Sequence, residues 1–426
     1  MKTRLVRTCT GFAVLIFLVG RSAPVAAETL QGLIATALAQ HPDIAALEAS
    51  VRAAQQTVSP ARTLPDPQLM VGVANMGLTS WEVGKDPMSQ VMVQVGQMIP
   101  VRGKRGLAAK VAEGDVAQAE AALDARRNSL AAQVARAALE IYRVDQSIAI
   151  MSSIHDQYVQ MAKATEGRVT VGAAPQEELI NMLLDRDMTG AEISEARLWR
   201  AALVAELNGL LARPPSALFD SLIVDSLPPV PADTAGLVAV ALRDQPMIVE
   251  RRAMVAQAEA ARDLARRERT PDPMITAGYG YRDGMTGMYQ ATIGLSLPIW
   301  MNRRQNAEVR MRDEMLQMQR HEASAAEVST TAMVGAATAR LRAANELLRA
   351  YERELLPRAQ QAVSASYASY TVGQSTLIMA LDAARKWQRL RLEALDQEVM
   401  ERMALVDLEE ALGHAAGVAG GPTSTP

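Results

Sequence analysis

Two stretches of the chain alternate apolar and polar residues with a period of two, and almost everything else repeats its apolar residues at helical spacing. Val91, Val93 and Val95 alternate with Met92, Gln94 and Gly96, and Tyr289, Ala291, Ile293, Leu295 and Leu297 alternate with Gln290, Thr292, Gly294 and Ser296. Such alternation predicts a strand with two unlike faces. Pro65-Asp66-Pro67 leads into the first stretch and Ile99-Pro100 closes it; Pro271-Asp272-Pro273 and Leu297-Pro298 frame the second in the same way. Each frame holds two short runs, so β-hairpins are expected over about 68–100 and about 274–298.

Around these hairpins the pattern is helical. Leu33, Ile34, Ala37 and Leu38, then Ile44, Leu47 and Val51, recur at helical spacing with a break at His41-Pro42. Ala37–Ile44 returns as Ala241–Ile248, about 200 residues on, as do the Pro-Asp-Pro frames, which marks one duplication into two halves rather than a solenoid. From Gly103 to about Gly167 there is no proline, and one helix of about 60 residues would be close to 100 Å long, so it must belong to a bundle or barrel. Met301 to about Tyr370 repeats it with a single proline, Pro357, where a kink is expected. Val171-Gly172-Ala173-Ala174-Pro175 and Val372-Gly373-Gln374-Ser375 turn the chain into return helices. The expected organisation is a first repeat over 28–212, a proline-rich extended linker over 213–233, a second repeat over 234–413, and a disordered tail over 414–426.

Composition narrows the class. The 426 residues are 4% aromatic, which suits long packed helices, and the net charge of -3 gives no reason to expect nucleic acid. Residues 1–27 have a basic start (Lys2, Arg4, Arg7), an apolar run from Phe12 to Val19 and small residues at Val25 and Ala27, and are expected to be a cleaved secretory signal. The single cysteine, Cys9, precedes that apolar run, so neither disulfide nor acyl anchor is expected. Outside the signal no stretch is long and apolar enough for a membrane helix, so any membrane contact must come through strands or a surface. Strands of about 9–11 residues with this alternation suit an outer membrane or, equally, a small sheet packed on helices. Four strands cannot close a barrel, and an open edge is not tolerated in hydrocarbon, so strands that span must be completed by further copies, with about eight as the lower limit.

At this point the chain resembles the TolC-type outer-membrane factors of efflux pumps and type I secretion, on the signal, the duplicated helix and hairpin halves and the two Val-Gly turns. The resemblance implies a mainly α protein with a membrane β-barrel portion, in which three protomers form a twelve-stranded barrel in the outer membrane, continued by a long helical barrel through the periplasm. Leu64-Pro65-Asp66-Pro67, Asp86-Pro87-Met88 and Gln97-Met98-Ile99-Pro100, followed by Gly103-Lys104-Arg105, look most like the heavy-metal branch, which works with RND pumps in the inner membrane. The absent lipid-anchor cysteine is a departure that some members of that branch do not share.

The resemblance also implies sites. The two turns, Val171, Gly172, Ala173 and Val372, Gly373, Gln374, would face a periplasmic adaptor. Glu178 and Tyr370 stand where the family places an acid–tyrosine bond that holds the closed gate; Ser375 replaces the family's partner arginine, so the latch would be weaker or would use a group such as Arg168. Met379 and Asp382 stand where two acidic residues ring the pore, and a ring of Asp382 would favour cations. Glu177, Asp185 and Asp187 lack such support and are expected to be solvated. Met311, Met315 and Met318 share a helical face; methionine is more often adaptable core filler than a ligand, and His41, His155, His321 and His414 have no ligand spacing, so neither a metal site nor a cofactor is expected. There is no phosphate loop, nucleophile elbow or metal-binding His pair, so an enzyme is not expected. The expected function is a passive exit duct of a tripartite pump, exporting heavy-metal cations; the same duct serving drugs or secreted proteins, and a soluble periplasmic coiled-coil scaffold, are the alternatives.

Overall fold

The computed structural model describes residues 28–76, 86–224, 227–230 and 232–414. The expected signal segment, most of the tail and the tip of the first hairpin lie outside these residues. The chain begins with β1 (Glu28–Thr29), α1 (Leu30–Gln40) and α2 (Pro42–Arg62), then β2 (Gln68–Ala74), β3 (Gln90–Met98), α3 (Lys104–Thr170) and α4 (Gln176–Leu210). After β4 (Leu222–Ile223) the order recurs as α5 (Thr234–Asp244), α6 (Pro246–Arg267), β5 (Pro273–Arg282), β6 (Met285–Leu295), α7 (Gln305–Ala350), a π-helical turn (Tyr351–Leu355), α8 (Leu356–Thr371) and α9 (Leu377–Leu412).

Helix α3 runs 67 residues without a break. It can do so because its interior holds no proline and because alanine lets neighbours approach: Ala131, Ala132, Ala135 and Ala138 are fully buried between Leu130, Val134 and Ile141. Towards the strands it packs on α2 and α6, and further down on α4 and α9, with α7 against α6 and α9. The segment expected to be an extended linker folds back onto this core: Phe219 and Leu222 are buried, β4 pairs in parallel with β1, and Arg213 grips both carboxylate oxygens of Glu28 at 2.9 and 3.3 Å.

The four long strands form one antiparallel sheet in the order β2-β3-β5-β6, so β2 and β6 each keep one edge without a partner within the chain. Register fixes the two faces. Leu69, Val71 and Val73 stand opposite Val95, Val93 and Val91, and these continue across Ala277, Tyr279 and Tyr281 to Ala291 and Tyr289. The other face carries Gln90, Gln94, Gln290, Thr276 and Thr292 with glycines and methionines. Gly96 and Gly280 on the polar face are buried beneath the side chains of Met70, Met274, Thr276 and Gln90, while Val93, Val95 and Ile275 on the apolar face are exposed. Tyr279, Tyr281 and Tyr289 stand towards the hairpin tip and Trp300 just past the opposite end, 68% exposed. Aromatic rings at both margins of an apolar band are what two membrane interfaces favour.

One half-buried pair ties the sheet to the helices. Lys104 Nζ donates to both carboxylate oxygens of Asp272, at 2.9 and 2.8 Å, and to the Thr270 carbonyl at 2.7 Å, and the Val101 N–H donates to the same carboxylate at 2.7 Å. Burial works to raise the Asp272 pKa; the Lys104 ammonium and the Val101 N–H outweigh it and hold the carboxyl below its ordinary range. The second Pro-Asp-Pro frame is thus the joint between β5 and the start of α3.

Candidate gate and docking tip

The end of the helices farthest from the strands is built from two turns of one design. After α3 the Ala173 N–H donates to the Arg168 carbonyl at 2.8 Å and the Gly172 N–H to the Val169 carbonyl at 3.0 Å; after α8 the Gln374 N–H donates to Ser369 at 2.9 Å and Gly373 to Tyr370 at 3.0 Å. These are Schellman caps, which need a left-handed residue, and Gly172 and Gly373 have φ of 72° and 76°. The turns leave Val171 and Val372 77% and 67% exposed.

Just behind the turns the helix pairs meet around Tyr370, which is 4% exposed. Its hydroxyl lies 3.4 Å from Thr165 Oγ1, and the Arg168 guanidinium sits 4.5 Å above its ring centroid, a cation–π contact between α3 and α8. The expected Glu178–Tyr370 bond is not made within the chain. Glu178, in the first turn of α4, keeps Oε2 shielded from solvent without a hydrogen-bond partner, as does Arg168 at Nη1. Arg168, not Glu178, is therefore what the fold brings to Tyr370, because the last turn of α3 lies against α8 whereas α4 starts beyond the cap. Ser375 reaches only the Ser366 carbonyl, at 3.5 Å.

Met379 and Asp382 lie on α9 along a groove of ≈ 650 Å³ shared with Arg358 and Lys386. Met379 is 62% exposed, and the Asp382 carboxylate accepts from Lys386 Nζ at 3.0 Å, one turn on. Any ring of Asp382 thus carries a lysine beside each carboxylate, which tempers the negative field expected from the sequence.

Sequence reasoning missed a deeper group. Asp185, expected to be solvated, is 9% exposed, and both its carboxylate oxygens accept from Arg385 Nη2 at 2.6 and 2.7 Å, joining α4 to α9 across α3. Tyr158 of α3 lies beside this pair; burial first, and the Asp185 charge second, push its hydroxyl up to about 12. A signal was present: Asp185 shares its helical face with Met182, Thr189 and Ile193, all of them buried. Met311, Met315 and Met318 also differ from expectation, being 44%, 41% and 46% exposed along α7 rather than core filler.

Comparison with known proteins agrees with this architecture. The family model described as outer membrane efflux protein matches residues 33–211 and 237–414, one stretch for each half. The cobalt-zinc-cadmium resistance protein CzcC of Cupriavidus metallidurans is 22% identical over 396 residues, covering 91% of this chain and 90% of that protein. Among solved structures, a CusC crystal structure superposes with a TM-score of 0.79 at 20% identity, covering 90% of this chain and 92% of that one. VceC from Vibrio cholerae gives a TM-score of 0.76 at 16% identity, with 90% and 96% covered. With both halves matched and the fold shared from end to end, the chain belongs to the outer membrane efflux proteins.

Proposed function

We propose that three copies of this chain form the exit duct of a tripartite efflux system that carries heavy-metal cations from an inner-membrane RND pump and a periplasmic adaptor to the outside. The observation that carries this reading is a two-faced sheet with both edges open, mounted on helices of about 100 Å. Its apolar face suits lipid, its polar face suits a lumen, and its edges need other copies. The adaptor docks on the capped tips, at Val171, Gly172, Ala173, Val372, Gly373 and Gln374, where exposed valines stand on rigid turns. The gate lies behind them: the Arg168–Tyr370 contact holds α8 against α3, and Glu178 offers an unsatisfied oxygen to a neighbouring copy. Asp382 and Met379 line the narrow end, and substrate choice lies mainly with the pump. The chain does no chemistry of its own in this scheme. The similarity to a cobalt-zinc-cadmium resistance protein supports the metal cargo.

Planar-bilayer recording combined with strain tolerance tests this proposal. The purified oligomer is expected to form pores of low conductance, and Arg168→Gln together with Glu178→Gln, which removes the guanidinium from the Tyr370 ring, to raise conductance severalfold. Conductance equal to wild type removes the gate, and no pore at all removes the duct. Copper, silver, zinc and cobalt tolerance unchanged in a deletion strain would leave the duct and exclude the metal cargo.

A further inference from the structure

The strand ladder sorts its apolar residues by type. Of the six methionines in the four long strands, Met70, Met92, Met98, Met274 and Met288 lie on the polar face, which carries no Leu, Val or Ile; Met285, beside the bulge at the hairpin tip, is the exception and alternates with Gly287 and Tyr289 on the opposite face, which otherwise carries Leu, Val, Ile and Tyr. Methionine used only as adaptable filler has no reason to keep to one side of a sheet. The side it keeps to is the polar one, which faces the lumen in the proposed barrel.

The methionines also cluster by height. Met98 stands directly opposite Met274, and the methyl groups of Met274 and Met70 both reach over Gly96, 2.7 and 3.3 Å from where a Cβ would stand. Farther along, Met92 and Met288 both stand opposite Gly280, one on each flanking strand. In the tier nearer the helices the glycine leaves the space into which the methyl ends of Met274 and Met70 reach; in the outer tier the space over Gly280 is taken by the Gln90 amide, between the two methionines. The Met92 sulfur already acts as an acceptor, from Gln90 Nε2 at 3.2 Å and Gln94 Nε2 at 3.7 Å, and Gln90 Oε1 is shielded there without a partner.

We propose that the lumen face of the sheet is a two-rung thioether ladder that holds thiophilic monovalent cations, Cu(I) or Ag(I), in passing, with Met70, Met98 and Met274 as the rung nearer the helices and Met92 and Met288 as the outer one. This rests on the reading of the chain as an outer-membrane duct and narrows its cargo. Neutral thioethers prefer soft cations over hard or borderline ones. Several weak sites in series let an ion bind without being trapped, the condition for conduction.

Calorimetric titration of Ag(I), a redox-stable soft probe, into the detergent-purified oligomer tests the ladder, with Zn(II) as comparison. Wild type is expected to bind Ag(I) and not Zn(II) at the barrel. The volume-conserving triple variant Met70→Leu, Met98→Leu, Met274→Leu is expected to lose at least about tenfold in affinity, and the variant Met311→Leu, Met315→Leu, Met318→Leu to bind as wild type. Each single barrel substitution, which keeps assembly safest, is expected to weaken binding about threefold or more, since one of three soft ligands is lost. Equal affinity in the barrel and α7 variants, or no Ag(I) binding by wild type, overturns the ladder. A wild-type oligomer that binds Ag(I) but passes no potassium current sinks the duct and leaves the site.

Discussion

Asp185 is 11% exposed at its side chain while its partner Arg385 is 55% exposed, and that asymmetry decides what each substitution costs. Arg385→Gln leaves a nearly buried carboxylate without its charged donor, an unsatisfied group that costs about 1–3 kcal/mol. Asp185→Asn leaves a guanidinium that can turn to water, and the cost should stay below about 1 kcal/mol. Arg385→Gln is therefore expected to lower the thermal midpoint of the purified protein more than Asp185→Asn does. The opposite order would mean that the arginine is the trapped charge. From the sequence alone the pair was hidden because its members stand 200 residues apart and each reads as an ordinary helical charge; only the face Asp185 shares with Met182, Thr189 and Ile193 hints at burial.

Among the elements, the junction of α7 and α8 shows how one residue sets a register. Pro357 has no N–H for the Arg353 carbonyl, and its ring collides with that carbonyl in an α-helix. The chain absorbs the conflict upstream as the π turn Tyr351–Leu355, in which the Leu356 N–H bonds back to Tyr351. The turn amounts to one extra residue, and each residue rotates a helix by about 100°, so the turn decides which face of α8 carries Tyr370 against Arg168. Pro357→Ala combined with deletion of the exposed Glu352 is expected to give a continuous α-helix with Tyr370 still buried, and heat-stable oligomer on a gel in wild-type yield. Deleting Glu352 alone, with the proline kept, is expected to turn Tyr370 outwards and reduce that yield; equal yields would mean the π turn sets nothing. The sequence placed a kink at Pro357 but could not say that it is a π turn, because only packing against α9 chooses where the extra residue goes. The strands were legible in kind, since period-two alternation survives whatever packs on either face, although β6 starts at Met285, four residues before the alternating run that begins at Tyr289. The Val-Gly turns were legible for a different reason, the left-handed φ that glycine alone takes readily. What the gate tyrosine touches was legible only in part: Arg168 stood out as a substitute for the missing arginine, but that it stacks on the Tyr370 ring depends on the relative rotation of two helices.

For the whole molecule the decisive feature is the pair of open edges on β2 and β6. An edge left unpaired in hydrocarbon costs several kcal/mol for each exposed N–H or carbonyl, so a single chain cannot rest in a membrane with its sheet open. Two copies would supply eight strands, but a barrel of about eight is filled by its own side chains. Three copies supply twelve strands, the smallest closed number with room for a lumen, and bring the polar faces with their methionines and glutamines to line it. The helices then stand as a tube below the barrel, about 100 Å from the length of α3 at about 1.5 Å per residue, and the barrel adds about 40 Å. Electron micrographs of the detergent-purified particle are expected to show a threefold tube about 140 Å long with the Val-Gly turns at its far end. A twofold particle would mean that the sheet closes without a lumen, and a monomeric one that the edges are covered by something other than this chain; either result removes the duct.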